Sequence, residues 1–177
     1  MQLRICLFGP SGSGKSTIAK FIVERHSADL LKLSAPLHDM QKCFYERLRK
    51  HVGEQDGELL QFLAYKITKE SPDWLGAEFL AKLERSSNNI VVNDDCRLNN
   101  YKVLLKAGFI FLRVQTPPAT MKQRARPDHT APDANHPVES GFENFTNRCT
   151  IYNGGDLQAT LLQVEQVLAA LSKKASH

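Results

Sequence analysis

The chain has 177 residues, 23 of them Lys or Arg against 19 Asp or Glu, for a formal net charge of +4. That length suits one domain able to bury its core without disulfides or a structural metal, and 42% hydrophobic with 24% charged residues excludes a disordered chain. The weak positive charge fits a small anionic ligand and argues against a nucleic-acid binder, and no apolar run approaches the ~20 residues of a membrane helix.

In chain order, the first apolar run is 2–8 (QLRICLF), a strand leading straight into a glycine-rich turn. The start lacks the charged and apolar regions of a signal peptide, so the expected location is the cytoplasm. Free cysteines agree with that. Cys6, Cys43, Cys96 and Cys149 are far apart, form no CxxC pair and read as buried thiols. Further strands are expected at Leu30–Leu33, Ile90–Asn93, Phe109–Val114 and Cys149–Tyr152, short apolar runs of the kind a buried parallel sheet uses. Between them lie helical patterns. Leu37, Met40, Phe44, Leu48 and Val52 recur at steps of three and four, behind a capping Ser34 and Pro36 in the first turn. Leu157, Leu161, Val164, Leu168 and Leu171 form the stripe of a last helix. Strands alternating with helices predict a layered α/β fold with right-handed crossovers.

Two stretches break the alternation. Residues 35–88 hold about three helices and no strand, too long for a simple crossover, and 126–145 are rich in Pro, Asn, Asp and Ser, like a surface flap. The expected organisation is a single domain, 1–177, with a helical insertion at 35–88 and a lid at about 120–145.

The strongest chemical signal is Gly9-Pro10-Ser11-Gly12-Ser13-Gly14-Lys15-Ser16-Thr17, which satisfies G-x-x-x-x-G-K-[ST] between an apolar strand and a helix. Glycines let the backbone bring its N–H groups against a polyphosphate, and the helix N-terminus adds its positive end. Lys15 is the expected partner of the β and γ phosphates, and the Ser16 hydroxyl a ligand of Mg²⁺. The ligand implied is therefore ATP with Mg²⁺. No NKxD guanine signature is present, and Asp73-Trp74-Leu75-Gly76 matches DxxG only inside a helical stretch. A short chain with a compact insertion favours a small-molecule kinase over a GTPase or a motor.

Other candidates follow from position. Asn93-Asp94-Asp95-Cys96-Arg97 trails a strand, at the sheet edge where ligands of parallel α/β proteins bind. Asp95, or its neighbour Asp94, suits Mg²⁺ directly or through water, and Arg97 a bidentate grip on a phosphate. Lys122, Arg124 and Arg126 precede the flap, where a cation can neutralise a transferring phosphoryl group. His136 and Glu139 lie within the flap, as sugar or base contacts. Arg47, Arg49, Gln61 and Trp74 lie in the insertion, where an acceptor can sit.

Together these segments resemble the phage-type deoxynucleoside monophosphate kinases, a branch of the nucleoside monophosphate kinase-like P-loop family, over almost the whole chain. The matches run from GPSGSGKST at 9–17 through Leu33-Ser34-Ala35-Pro36-Leu37, Leu59-Leu60-Gln61 and Trp74-Leu75. They continue with Val91-Val92-Asn93-Asp94-Asp95-Cys96-Arg97, Gly108–Val114, His136-Pro137-Val138-Glu139 and Tyr152-Asn153-Gly154-Gly155. The resemblance implies a three-layer P-loop fold of about five parallel strands flanked by helices, with a monophosphate-binding insertion and a lid. It implies Mg-ATP-dependent phosphoryl transfer to a (deoxy)nucleoside monophosphate, with Asp95 and Arg97 on the acceptor side. Ser34, Gln61, Trp74, Arg97, His136 and Glu139 then serve the acceptor, and Asn153 joins the loop residues around the nucleotide. The chain departs from the pattern at Asn99-Asn100-Tyr101, at Val138 and at Phe62-Leu63-Ala64, which bears on the acceptor. Similar architecture serves dephospho-coenzyme A, shikimate, gluconate and phosphomevalonate, so a non-nucleotide acceptor, or a degenerate nucleotide-binding protein, stands as the alternative. Partners beyond small-molecule nucleotides are not expected, and oligomeric state is open.

Overall fold

The computed structural model describes residues 2–51, 55–124, 145 and 149–175. Five strands, β1 (Leu3–Phe8), β2 (Asp29–Leu30), β3 (Ile90–Asn93), β4 (Ile110–Gln115) and β5 (Cys149–Tyr152), form one parallel sheet in the order β2-β3-β1-β4-β5. The helices are α1 (Lys15–His26), α2 (Ala35–Arg47), α3 (Gly57–Glu70), α4 (Trp74–Arg85), α5 (Tyr101–Lys106), α6 (Pro118–Arg124) and α7 (Leu157–Ala175). Parallel pairing puts every strand's carboxyl end on one edge. Because β1 sits centrally, the turn after Phe8 lies beside the ends of β3 and β4.

The chain divides into two compact units: a sheet unit, up to Leu30 and from Ser86 onward, and a helical unit, Leu31–Arg85. In the sheet unit, alternation along β1 separates two cores. Leu3, Ile5 and Leu7 pack with Ile18, Ala19 and Ile22 of α1 and with Val164, Leu168 and Leu171 of α7. Phe8 faces the other way, toward Phe111 of β4 and Phe145, and Tyr101 of α5 stacks on Phe145 with ring centroids 4.2 Å apart. Burying such side chains on both faces is what holds a parallel sheet together, at about 1.5–3 kcal/mol for each large apolar group. β5 is an edge strand, and Gln163 of α7 satisfies the main chain of Tyr152 there, accepting from its N–H and donating to its carbonyl, both at 3.1 Å. The margin on which 35–88 rejoins the sheet is polar. Asp29 accepts from Ser86 Oγ at 2.5 Å and from Asn88 Nδ2 at 2.7 Å, and Gln2 Nε2 donates to the Asn88 carbonyl at 2.9 Å.

In the helical unit, α3 opens on Asp56, whose Oδ1 accepts from the Leu59 amide at 3.0 Å, an N-cap of the usual kind. Tyr45 Oη donates to the other oxygen of Asp56 at 2.6 Å. These bonds hold the Asp56 carboxyl below its ordinary value, Leu59 first and Tyr45 second, and the same contact raises the Tyr45 phenol.

Four local expectations are corrected. The second strand covers only Asp29 and Leu30, because the chain turns at Lys32–Ser34 (the Ala35 amide donates to Lys32 at 3.3 Å) to start α2 at Ala35. The stripe of α2 ends early: Leu48 is the C-cap, while Phe44 and Leu48 are 48% and 51% exposed, and Val52 lies outside the described residues. Ser34 stands at the N-cap position, but its side chain makes no capping bond. Of the cysteines, Cys6 and Cys96 are buried, whereas Cys149 is half-buried and Cys43 exposed. Among the described residues no helix is long and apolar enough to cross a membrane.

Candidate functional site

The turn between β1 and α1 is shaped by glycine. Gly9, Gly12 and Gly14 have φ of 146°, 77° and 93°, in the region that side chains with a Cβ avoid. Gly9 and Gly14 are also places of close approach. A Cβ on Gly9 would lie 2.4 Å from the Val114 carbonyl, and one on Gly14 would lie 2.2 Å from Asn153 Nδ2. Ser13 closes the turn, its amide donating to the Pro10 carbonyl at 3.2 Å.

α1 starts at Lys15, with Gly14 at the N-cap and no side chain capping its first amides. The first intrahelical bond runs from Ile18 to Gly14 at 3.1 Å. A twelve-residue helix with an uncapped N-terminus offers aligned N–H groups and the positive end of its dipole to an anion. Lys15 Nζ bends over the turn and donates to the Gly9 and Pro10 carbonyls, both at 2.8 Å. That places the ammonium above the ring of main-chain atoms, where phosphate oxygens can replace the carbonyls as acceptors. Ser16 and Thr17 are exposed in the first turn, Ser11 and Gly12 are exposed on the loop, and Ser13 is buried.

The loop is held from beneath by the ends of β4 and β5. Thr116 Oγ1 and Asn153 Nδ2 each donate to the Ser13 carbonyl at 2.9 Å. Asn153 is buried, and its amide N–H continues the sheet by donating to Gln115 at 2.8 Å. Its Oδ1 lies 3.3 Å from Thr160 Oγ1, which is also 3.1 Å from the Asp156 carbonyl. Arg124, at the end of α6, is exposed and donates at 3.4 Å to the carbonyls of both Asn153 and Gly155.

β3 delivers the acidic cluster to the same sheet edge, since Asn93 pairs in register with Cys6, three residues before Gly9. Asn93 Nδ2 donates to Asp95 Oδ1 at 2.6 Å, orienting a half-buried carboxylate. Asp94 is only 4% exposed. Asn100 staples the next turn: its Oδ1 accepts from the Arg97 amide at 2.7 Å, and its Nδ2 donates to the Asp95 carbonyl at 3.3 Å. Arg97 is half-buried. Beneath this cluster the Cys6 thiol is pushed up, by burial first, then by its contact with Cys96 and by the charges of Asp95 and Asp94. It therefore stays a neutral packing group.

Ser16 and Asp95 are the residues suited to Mg²⁺. Among the described residues no three His, Cys, Asp or Glu side chains converge on one point. A hydroxyl and a carboxylate completed by phosphate oxygens and water are the usual environment of this ion in phosphotransferases. The chemistry of the two donors fits that mode.

The sheet unit thus carries Gly9 to Thr17, Asp95, Arg97, Arg124 and Asn153. The helical unit carries Ser34, exposed Gln61 on α3, and half-buried Trp74 as the first residue of α4. Within it a cavity of about 250 Å³ is lined by Phe44, Asp56, Glu58, Leu59 and Phe62. Arg126, His136 and Glu139 lie outside the described residues. Sequence reasoning missed Thr116, Asn93, Asn100 and Thr160. Only Asn93 and Asn100 carried any signal, being polar residues beside the acidic cluster.

The fold and turn define a P-loop α/β protein: a five-stranded parallel sheet flanked by helices, with the glycine turn after its central strand. The model of the ATPase family associated with various cellular activities (AAA) matches residues 5–75. No curated protein matches the chain significantly. Among solved structures, TT1252 from Thermus thermophilus is similar, with a TM-score of 0.60 at 20% identity over 96% of this chain and 98% of that one. A gluconokinase from Sinorhizobium meliloti 1021 has a TM-score of 0.57 at 17% identity, over 98% and 95% of the two chains. Shikimate kinase from Acinetobacter baumannii, in complex with shikimate, has a TM-score of 0.55 at 15% identity, also over 98% and 95%. The chain thus shares its fold with small P-loop kinases.

Proposed function

We propose that this protein is an ATP-dependent phosphotransferase acting on a small molecule, with a (deoxy)nucleoside monophosphate as acceptor and the diphosphate as product. The observation that carries the reading is the glycine turn, with Lys15 lying over its carbonyls at 2.8 Å and the uncapped start of α1 behind it. Main-chain amides and Lys15 hold the donor's phosphates; Ser16 and Asp95 would hold Mg²⁺, which when bound would supply further positive charge beside them. Arg97 grips the acceptor's phosphate, and Arg124 or Arg126 balances charge as the phosphoryl group moves. Phosphoryl transfer needs little covalent help, so holding the two substrates in line accounts for most of the rate. The assignments of Ser34, Gln61, Trp74, His136 and Glu139 to the acceptor, of Asn153 to the nucleotide's surroundings and of the cytoplasm as location belong to the same proposal.

A second reading, a non-nucleotide acceptor, is favoured by the similarity to a gluconokinase and a shikimate kinase. One experiment separates the two. ADP release from Mg-ATP is measured with a panel of ribo- and deoxynucleoside monophosphates and with gluconate, shikimate and phosphorylated metabolites. Turnover with a monophosphate alone supports the first reading, and turnover with a sugar or hydroxy acid alone transfers it to the second. ATP binding with no acceptor-dependent ADP anywhere in the panel marks a protein that holds nucleotide without transferring phosphate.

A further inference from the structure

The Ser13 carbonyl ties the glycine turn to the ends of β4 and β5. It accepts from Thr116 Oγ1 and Asn153 Nδ2, both at 2.9 Å, and both side chains are buried, at 5% and 4% exposure. A trans peptide unit is planar, so its N–H points opposite to its C=O. Fixing the Ser13 oxygen toward the ends of β4 and β5 therefore fixes the Gly14 N–H in the opposite direction. Gly14 sits at the N-cap with φ 93° and ψ 14°, a conformation with broad freedom unless its flanking peptide is tethered. The fit is close, since a Cβ on Gly14 would fall 2.2 Å from Asn153 Nδ2. A carbonyl can only accept, so the Asn153 carboxamide presents its NH₂ to Ser13.

We propose that Thr116 and Asn153 are positioning residues for the nucleotide: by holding the Ser13 carbonyl, they aim the Gly14 amide at the phosphates of the bound triphosphate. This rests on the donor-site reading above and assigns a role to Thr116 that its sequence position did not suggest. Preorganised donors are worth more than mobile ones because no reorganisation is needed when charge arrives. Thr116→Val keeps the shape and removes one of the two donors. A neutral hydrogen bond contributes about 0.5–1.5 kcal/mol, equivalent to roughly a two- to tenfold change in an equilibrium constant.

The experiment measures the Kd of Mg-ATP by calorimetry and the nucleotide-free melting temperature, for wild type, Thr116→Val and Thr116→Ser. The expected result is Mg-ATP binding weakened about three- to tenfold in Thr116→Val and restored within about twofold in Thr116→Ser. A lowered melting temperature with unchanged Kd would make Thr116 a purely structural residue and overturn the inference alone. Wild-type protein that binds no Mg-ATP would overturn the donor-site reading and the inference with it. Should Thr116→Val not fold, Thr116→Ala takes its place in both measurements: weaker Mg-ATP binding than in Thr116→Ser upholds the inference, and equal affinity refutes it.

Discussion

In the sheet unit, the Ser13 carbonyl is bonded by Thr116, 103 residues away in sequence, and by Asn153, 140 away. In the helical unit, Asp56 takes its bonds from Leu59, three residues on, and Tyr45, eleven back, and its own amide donates to Gln41, fifteen back. The apolar surface differs in the same sense. Phe8, Phe111 and Phe145 are buried beneath the sheet edge, whereas Phe44, Phe62 and Tyr65 on α2 and α3 are 48%, 55% and 61% exposed. Long-range bonds require the whole sheet to be assembled before the turn takes its shape, and they then leave it little freedom. Local caps and i,i+3 bonds stabilise a helix and do not orient groups elsewhere in the chain. The first unit is built to hold one geometry, and the second tolerates change in its side chains.

The contrast can be broken most sharply at Lys15. Lys15→Ala removes a half-buried cation that bonds the Gly9 and Pro10 carbonyls, so turnover is expected to fall by roughly 10²–10³-fold while the melting temperature drops by no more than about 2–4 °C. Steady-state ADP release and thermal melting check both halves, and a variant with wild-type turnover would place the donor somewhere other than the glycine turn. A smaller but structural blow is Gly9→Ala. Its Cβ would meet the Val114 carbonyl at 2.4 Å, and its φ of 146° is unsuited to alanine. Backbone must shift, at a cost of about 2–4 kcal/mol in the denaturant-derived stability. If Gly9→Ala were neutral, the sheet unit would be far less exacting than its long-range bonds imply.

The mildest effect is expected in the helical unit. Asp56→Ala removes the N-cap of α3 and should lower the melting temperature by only about 2–4 °C at neutral pH, leaving Mg-ATP affinity unchanged. The pH dependence follows from the direction of each shift. The Asp56 carboxyl is lowered in the folded chain, so its stabilisation is present above the ordinary value of 3.8 and is lost as pH falls through the lowered one. The Tyr45 phenol is raised from 10.0, so its share is present below that pH and is lost as pH rises through the raised value. Melting curves of wild type and Asp56→Ala should therefore converge at acid pH. Curves that stay parallel would remove the cap from the account of this unit.

The legible parts of the molecule were those whose causes are local. The apolar runs at 2–8, 90–93, 109–114 and 149–152 announced β1, β3, β4 and β5 to within a residue at each end, and the glycine spacing announced the turn and the start of α1 near Lys15. Leu31 and Leu33 extended the apolar run after β2, yet the turn into α2 ends that strand after two residues, a competition that hydrophobicity does not register. Phe44 and Leu48 continued a helical stripe that the end of α2 leaves exposed. Thr116 could not be read at all. A threonine before Pro117-Pro118 looks like loop chemistry, and its bond to Ser13 exists only because β4 lies beside β1.

The carboxamide of Gln163 has a consequence beyond its own helix. By occupying both the N–H and the carbonyl of Tyr152, it leaves a stray polypeptide nothing to zip onto at that point of the outermost strand. An open margin of this kind is where sheets recruit foreign chains and begin to aggregate. Here one glutamine, supplied by the chain itself, guards that position.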